Sequence, residues 1–97
     1  MKHYLEANHK TVHWGFLSAE INPVLNINSG DEVEITSVSG PPEVTKNSPY
    51  EVKESLLEIH EKSVRGTLQG GHICTGPIKV HESKTGDVVE IEILSIE

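Results

Sequence analysis

The feature that most constrains the fold is the stretch Asp-Val-Val-Glu-Ile-Glu-Ile-Leu-Ser-Ile at residues 87–96. Val89, Ile91 and Ile93 alternate with two glutamates, and this period of two residues is typical of a half-buried β-strand. Further apolar residues fall on the glutamate side at both ends of the stretch, so we expect those ends to be covered as well. The sequence predicts its clearest strand here.

Shorter strands are predicted elsewhere, separated by turns rich in glycine, proline, asparagine and serine. In one of them, Val33 and Ile35 alternate with Glu34. A weak internal repeat accompanies the strands, because residues 29–35 and 85–91 are both a Gly-Asp turn followed by an alternating segment. The four shorter segments are residues 11–16, 23–27, 33–36 and 77–81.

One helix is predicted, at about residues 49–63. Ser48 suits the N-cap, Pro49 suits the first helical position, and Glu51 completes a capping box. Residues 43–47 are predicted to be a surface loop. One helix among many short strands favours a mainly β fold, a single-domain barrel or sandwich, over alternating β–α–β units.

Length and composition agree with one small domain. The 97 residues suffice for a single core, and aromatic residues make up only 4% of the chain. The core must therefore rest mainly on Val, Ile and Leu. We expect residues 1–97 to form one domain.

The charge and the single cysteine limit the partners and the compartment. A formal net charge of −7 leaves no basic surface for phosphate backbones, which argues against nucleic acid and anionic membranes as partners. No apolar run approaches the ~20 residues of a membrane span, and the first residues lack the apolar core of a signal peptide. One cysteine forms no internal disulfide, so we expect a reducing cytoplasm.

The stretch Gly-Gly-His-Ile-Cys-Thr-Gly-Pro at residues 70–77 has a composition that packing alone does not favour. In an extended segment His72 and Cys74 point to one face, where they can ligate zinc or pair as imidazole and thiolate. A zinc site needs three or four protein ligands, however, and no CxxC, HxxxH or HExxH occurs. Because a buried, unreactive cysteine is the commoner case, both interpretations stay open.

His13 is a second candidate. It shares a strand face with Gly15, which leaves open space for a pocket or a closely packed neighbour. The alternative is a half-buried histidine bonded to the backbone. The remaining histidines are predicted to be peripheral: His3 and His9 solvated, His60 capping carbonyls near the helix C-terminus, and His81 exposed.

Four collinear segments resemble the N-terminal part of the acetamidase/formamidase family, and the resemblance spans roughly residues 9–96. Family members are about three times longer, and the further acidic and histidine motifs of the family do not occur in this sequence. The segments are Thr-Val-His-Trp-Gly-Phe at 11–16, Pro-Val-Leu-Asn-Ile at 23–27 with Ser-Gly-Asp-Glu-Val at 29–33, Gly-His-Ile-Cys-Thr-Gly-Pro-Ile at 71–78, and Gly-Asp-Val-Val-Glu-Ile at 86–91.

The resemblance implies a β-rich fold that brings the His13 and His72 segments together. It also implies ancestry in hydrolases that release ammonia from short aliphatic amides, typically with a divalent metal such as zinc or calcium. His13, His72 and Cys74 are then the catalytic candidates, and the two histidines are the metal-ligand candidates. The candidates for ligand binding are Trp14, Gly70, Gly71 and Thr75.

Hydrolysis further requires a metal or base that activates water and donors that stabilise an oxyanion. The Gly70 or Gly71 N–H is the candidate oxyanion donor. The nearest additional acid or base candidates lie in turns, at Glu20, Asp31 and Glu82.

Two classes of function follow. The first is a non-catalytic domain that self-associates or binds a small molecule, since a homo-oligomer is the simplest way to cover open strand edges and apolar surface. The alternative is a small amidase-like hydrolase of short aliphatic amides, either metal-dependent or completed by a complementary amidase subunit.

Overall fold

The computed structural model describes residues 1–15, 18–40, 42–46, 49–63 and 72–97. Within these ranges the chain forms short strands and two helices, and neither helix is long and apolar enough to cross a membrane. The elements are β1 (Lys2–Leu5), β2 (Val12–Trp14), β3 (Leu25–Ile27), β4 (Glu32–Ile35), α1 (Pro42–Thr45), α2 (Glu54–Lys62), β5 (Ile73–Thr75) and β6 (Ile78–Val80).

The described strands pair into three two-stranded sheets. β1 pairs in parallel with β4, and β3 pairs in parallel with β6. β2 and β5 form the antiparallel pair. The prediction of a mainly β domain of short strands with one main helix is confirmed, although the strands in the described ranges do not close into a barrel.

Hydrogen bonds beyond the strand ends extend the pairing within two of the sheets and link one sheet to another. The Val24 N–H donates to the Pro77 carbonyl at 2.9 Å, which joins the segment before β3 to the segment before β6. Thr36 follows β4, and its carbonyl accepts a bond from Thr75 Oγ1 at 3.0 Å. The Thr36 Oγ1 accepts a bond from the Ala7 N–H at 2.7 Å. Short strands are therefore held in place by their connections.

The hydrophobic core is small and centres on α2. Leu56 and Ile59 are three residues apart and form the buried face of this helix, as expected for a helix that packs by one side. The Trp14 indole N–H donates to Ser63 Oγ at 2.9 Å, and its ring stacks on that of His60 with centroids 6.2 Å apart. The buried apolar residues are Leu5, Ala7, Trp14, Leu56 and Ile59.

The helix starts later than predicted. α2 begins at Glu54, so the capping box with Pro49 as first helical residue and Glu51 as its partner is wrong. Lys53 is the N-cap and makes no side-chain capping bond, while Ser48 lies outside the described residues. The physical reason is that tertiary packing of the buried face fixes a short helix and overrides a local start signal.

The sequence does not predict β1 or α1. β1 has the sequence Lys-His-Tyr-Leu, which has too little alternation to signal a strand, and its pairing with β4 supplies the missing stabilisation. The surface loop predicted for residues 43–47 is wrong in its first part, because residues 42–45 form one helical turn.

Residues 87–96, here called the arm, form no strand with any residue that the structure describes. All ten are exposed, and Ile91 remains 80% exposed. The prediction of a half-buried strand over these residues is therefore wrong for the described chain. Alternation shows which side chains share a face, but a strand needs a neighbour to pair with.

The internal repeat has a structural counterpart in two matching turns. The Asp31 N–H donates to the Asn28 carbonyl at 3.0 Å, and the Asn28 N–H donates to Asp31 Oδ2 at 2.9 Å. Asp87 and Lys84 make the same pair of bonds, at 3.0 Å and 2.8 Å. A glycine with a positive φ, of 88° and 97°, precedes each aspartate. The same turn therefore leads into β4 and into the arm.

Candidate functional site

The predicted site segments lie side by side on the antiparallel sheet of β2 and β5. His13 lies directly opposite Cys74, and Val12 lies opposite Thr75. Beyond this register the Gly15 N–H donates to the His72 carbonyl at 2.8 Å. The pairing thus places a histidine and the chain's only cysteine on neighbouring strands, although 61 positions separate them in the sequence.

A shallow cleft of about 450 Å³ opens beside His13 and Cys74. Its wall combines an imidazole, a thiol and two hydroxyls with apolar side chains. This volume lies within the range of about 300–1,000 Å³ that is usual for small-molecule sites. The lining residues are His13, Ser18, Ala19, Ile21, Cys74, Thr75 and Pro77.

The half-buried His13 has an unused hydrogen-bonding atom. Its Nδ1 lies 3.4 Å from the Gly76 carbonyl, a long contact in which the imidazole must be the donor. With the proton on Nδ1, the Nε2 carries a lone pair, and this buried atom has no partner among the residues that the structure describes. Buried polar atoms without a partner are uncommon, so His13 retains an acceptor for the N–H or O–H of a ligand.

Gly76 shapes the turn beside this imidazole. Its φ is +133°, a conformation that glycine adopts far more readily than other residues. Its N–H donates to the Thr11 carbonyl at 2.8 Å, and its carbonyl faces His13. Gly76 is the glycine of the 70–77 stretch that the structure describes, and the backbone geometry requires a glycine at this position.

Cys74 and Thr75 supply the remaining polar atoms of the β5 wall. Cys74 is a free, half-buried thiol. Thr75 Oγ1 donates to the Thr36 carbonyl at 3.0 Å, so its proton is engaged and its lone pairs remain acceptors. With the Nε2 of His13, the Thr75 oxygen gives this side of the cleft acceptors for ligands that donate hydrogen bonds, while the Ser18 hydroxyl can also donate.

Two of the other predicted site residues, His72 and Trp14, do not line the cleft. The His72 side chain is exposed. Trp14 is 2% exposed and belongs to the core, on the strand face opposite to His13. Gly70 and Gly71 lie outside the described residues. Roles for these four in catalysis or ligand binding stay predictions.

The described residues do not fit the divalent metal that the family resemblance implies. His13 and Cys74 provide two donors, whereas a zinc site takes three or four protein ligands. No group of three or more His, Cys, Asp or Glu residues in the described ranges is arranged to hold a metal ion. No metal-dependent step follows from this geometry.

The additional acid or base candidates are likewise not at the cleft wall. Glu20 is exposed, and its neighbours Ala19 and Ile21 line the cleft instead. Glu82 is exposed and lies 4.0 Å from His81, which is itself exposed as predicted.

Asp31 pairs with His3 near the start of the chain. His3 Nε2 lies 2.8 Å from Asp31 Oδ2, so the prediction that His3 is solvated is wrong. The Met1 ammonium lies 3.2 Å from Oδ1. The Asn28 N–H above all, then His3 and the ammonium, hold the pKa of Asp31 well below its usual range.

His9 and His60 connect helix α2 to other segments. His9 Nδ1 lies 2.6 Å from Glu58 Oε1, so His9 is not simply solvated as predicted. His60 Nε2 donates to the Gly40 carbonyl at 2.7 Å, rather than capping its own helix as predicted. No local sequence signal identifies these partners, because they lie 49 and 20 positions away.

The chain matches no protein-family model, no curated protein and no solved structure. The resemblance to the acetamidase/formamidase family therefore stays a prediction.

Proposed function

We propose that this chain is a non-catalytic domain that associates with further copies of itself. The exposed arm is the observation that supports the proposal. An exposed segment that carries this many large apolar side chains marks an interaction surface. Its large apolar side chains are between 64% and 94% exposed: Val88, Val89, Ile91, Ile93, Leu94 and Ile96.

The total surface of the chain also supports association. The accessible area is 7992 Å², whereas a compact monomer of this mass exposes about 5,500 Å². The difference of about 2,500 Å² exceeds the roughly 800 Å² per partner that a stable interface buries. The radius of gyration of 14.8 Å is likewise above the value of about 13 Å for a compact domain of this length.

The free energy gained by burying the arm is comparable with the cost of association. Full burial of a Val or Ile side chain contributes about 1.5–3 kcal/mol. Val89, Ile91 and Ile93 in each of two copies therefore contribute on the order of 9–18 kcal/mol, against an association cost of about 4–15 kcal/mol.

Replacing Ile91 and Ile93 together by asparagine tests this proposal in the full chain. We expect the unmodified chain to be a dimer or larger assembly by light scattering and sedimentation, and Ile91→Asn/Ile93→Asn to be monomeric. Leu57→Asn is the matched control, because Leu57 is 52% exposed on α2 and lies outside the arm. An unmodified chain that stays monomeric at every concentration would contradict the proposal.

A second candidate function is binding of a small hydrogen-bond donor in the cleft. The unpartnered Nε2 of His13 supports it, and the amide N–H of formamide or acetamide has the required chemistry. The free thiol of Cys74 agrees with a reducing cytoplasm. The hydrolase alternative, alone or with a complementary amidase subunit, needs catalytic groups beyond those that line the cleft.

An acetamide titration followed by NMR tests the cleft. We expect the amide signals of Cys74 and Thr75 to shift, and the shifts to disappear in His13→Ala but persist in His81→Ala. Ammonia is measured in the same samples with zinc or calcium added, and we expect none above background. Turnover that is lost in both His13→Ala and His72→Ala would instead favour the hydrolase.

A further inference from the structure

We infer that the arm of one copy adds as a parallel strand to the free edge of β1 in a second copy. This inference rests on the proposed self-association and identifies the surface that receives the arm.

The internal repeat shows which strand accepts a sequence of this pattern. The same turn leads into β4 and into the arm, and Val33-Glu34-Ile35 corresponds to Val89-Glu90-Ile91. β4 pairs in parallel with β1, with Lys2 opposite Glu32. β4 occupies one edge of β1, and the other edge pairs with no strand that the structure describes.

The apolar faces match when the arm takes this edge. In β1, His3 and Leu5 point to the same side as their partners in β4, Val33 and Ile35. The repeat alone would place Val89 beside His3 and Ile91 beside Leu5. A shift by two residues keeps the same side chains on this face, places Ile91 beside His3 and Ile93 beside Leu5, and extends that side by one strand. Within its own chain the arm does not occupy this edge, so the second copy is the occupant.

Charge distinguishes the β1 edge from the β4 edge. On the sheet face opposite to Val33 and Ile35, β4 carries Glu32 and Glu34. If the arm paired with β4, its own glutamates would lie beside them. On the same face β1 carries Lys2, whose ammonium lies 5.3 Å from the centre of the Tyr4 ring. Opposite charges on adjacent strands stabilise a sheet and like charges destabilise it. The register of the inference therefore places Glu90 opposite Lys2.

Charge reversal in the untagged full chain tests this pairing. We expect Lys2→Glu and Glu90→Lys each to raise the dimer dissociation constant about tenfold, since a dimer contains two such pairs. The double variant should return to within about threefold of the unmodified chain. The remaining loss is the like-charge contact that Lys2→Glu also makes with Glu32 of its own chain. Lys79→Glu is the matched control and should have no effect. Lys79 is an exposed lysine on β6, whose edge away from β3 pairs with no strand that the structure describes.

A second measurement applies if a charge variant unfolds by circular dichroism. Mixed Lys2→Cys and Glu90→Cys chains should form a disulfide between copies under mild oxidation, and a Lys79→Cys and Glu90→Cys mixture should not.

The outcomes separate this inference from the proposed function. A chain that dimerises through the arm but is weakened by Lys79→Glu and not by Lys2→Glu would move the acceptor to β6 and overturn the inference. Arm-dependent dimers whose dissociation constant changes with neither Lys2→Glu nor Lys79→Glu would overturn it as well. In both cases the proposed self-association is still supported. An unmodified chain that stays monomeric would contradict both the self-association and the assignment of the β1 edge.

Discussion

Asp31 is the residue at which charge and fold are most tightly coupled. Its carboxylate accepts bonds from the Asn28 N–H, from His3 and from the Met1 ammonium. These partners favour the ionised form and depress the pKa in the folded chain. The resulting stabilisation is fully present above the ordinary aspartate value of about 4 and is lost as the pH falls below it.

Replacing Asp31 by asparagine should therefore lower the free energy of unfolding at neutral pH. It should also flatten the decline in stability between about pH 4 and pH 2, because the group that gains a proton on unfolding is gone. Urea unfolding at a series of pH values measures both effects. Asp87→Asn is the matched control, since it neutralises the carboxylate that accepts the same turn bond from the Lys84 N–H without touching His3. Equal effects of the two substitutions would show that only the turn matters.

The sequence predicts the position of a side chain where local geometry determines it. His13 shares a strand face with Gly15, and the structure places it at a cleft wall. The partners of His3 and His9 are carboxylates 28 and 49 positions away. Local pattern holds no information about contacts at such separations, because the fold brings them together.

At the scale of elements, α2 is held by polar contacts as well as by its buried face. His9 hydrogen-bonds with Glu58, and His60 hydrogen-bonds with the Gly40 carbonyl. The Trp14 indole donates to Ser63, the residue just after the helix. The helix is only nine residues long, below the length at which an isolated helix is stable in water. These contacts therefore contribute directly to its stability.

Trp14→Phe should remove the indole bond while leaving an aromatic ring in the core. We expect a loss of about 0.5–1.5 kcal/mol from the hydrogen bond, and about 3–5 kcal/mol for Trp14→Ala because a cavity is added. Far-UV circular dichroism in urea is the measurement, as Trp14 is the only tryptophan. The Ile91→Asn/Ile93→Asn background removes the contribution of association.

Ser63→Ala is the complementary control for this contact. It removes the same hydrogen bond from the other side without a change in ring size. It also removes the bond from Ser63 Oγ to the Ile59 carbonyl, so its effect should be at least as large as the hydrogen-bond loss in Trp14→Phe. A Trp14→Phe variant as stable as the starting protein would show that packing alone positions α2.

At the scale of the whole molecule, the sequence pattern predicts the class of fold but not how the strands pair with one another. Short alternating segments and one helix signal predict a β-rich domain, which the three small sheets confirm. Neither the parallel pairing of β1 with β4 nor the open edges can be deduced locally. The arm shows the limit most clearly, since its alternation is the strongest in the chain and it pairs with no described residue.

The turn between β6 and the arm has a consequence for the size of the assembly. Two copies that exchange arms reciprocally leave no acceptor edge free, whereas one-way exchange leaves a free arm and a free edge at opposite ends of a growing filament. Glu82 at a φ of 66° and Gly86 at 97° set the direction in which the arm leaves β6. The geometry of this turn thus selects between a closed pair and a fibre.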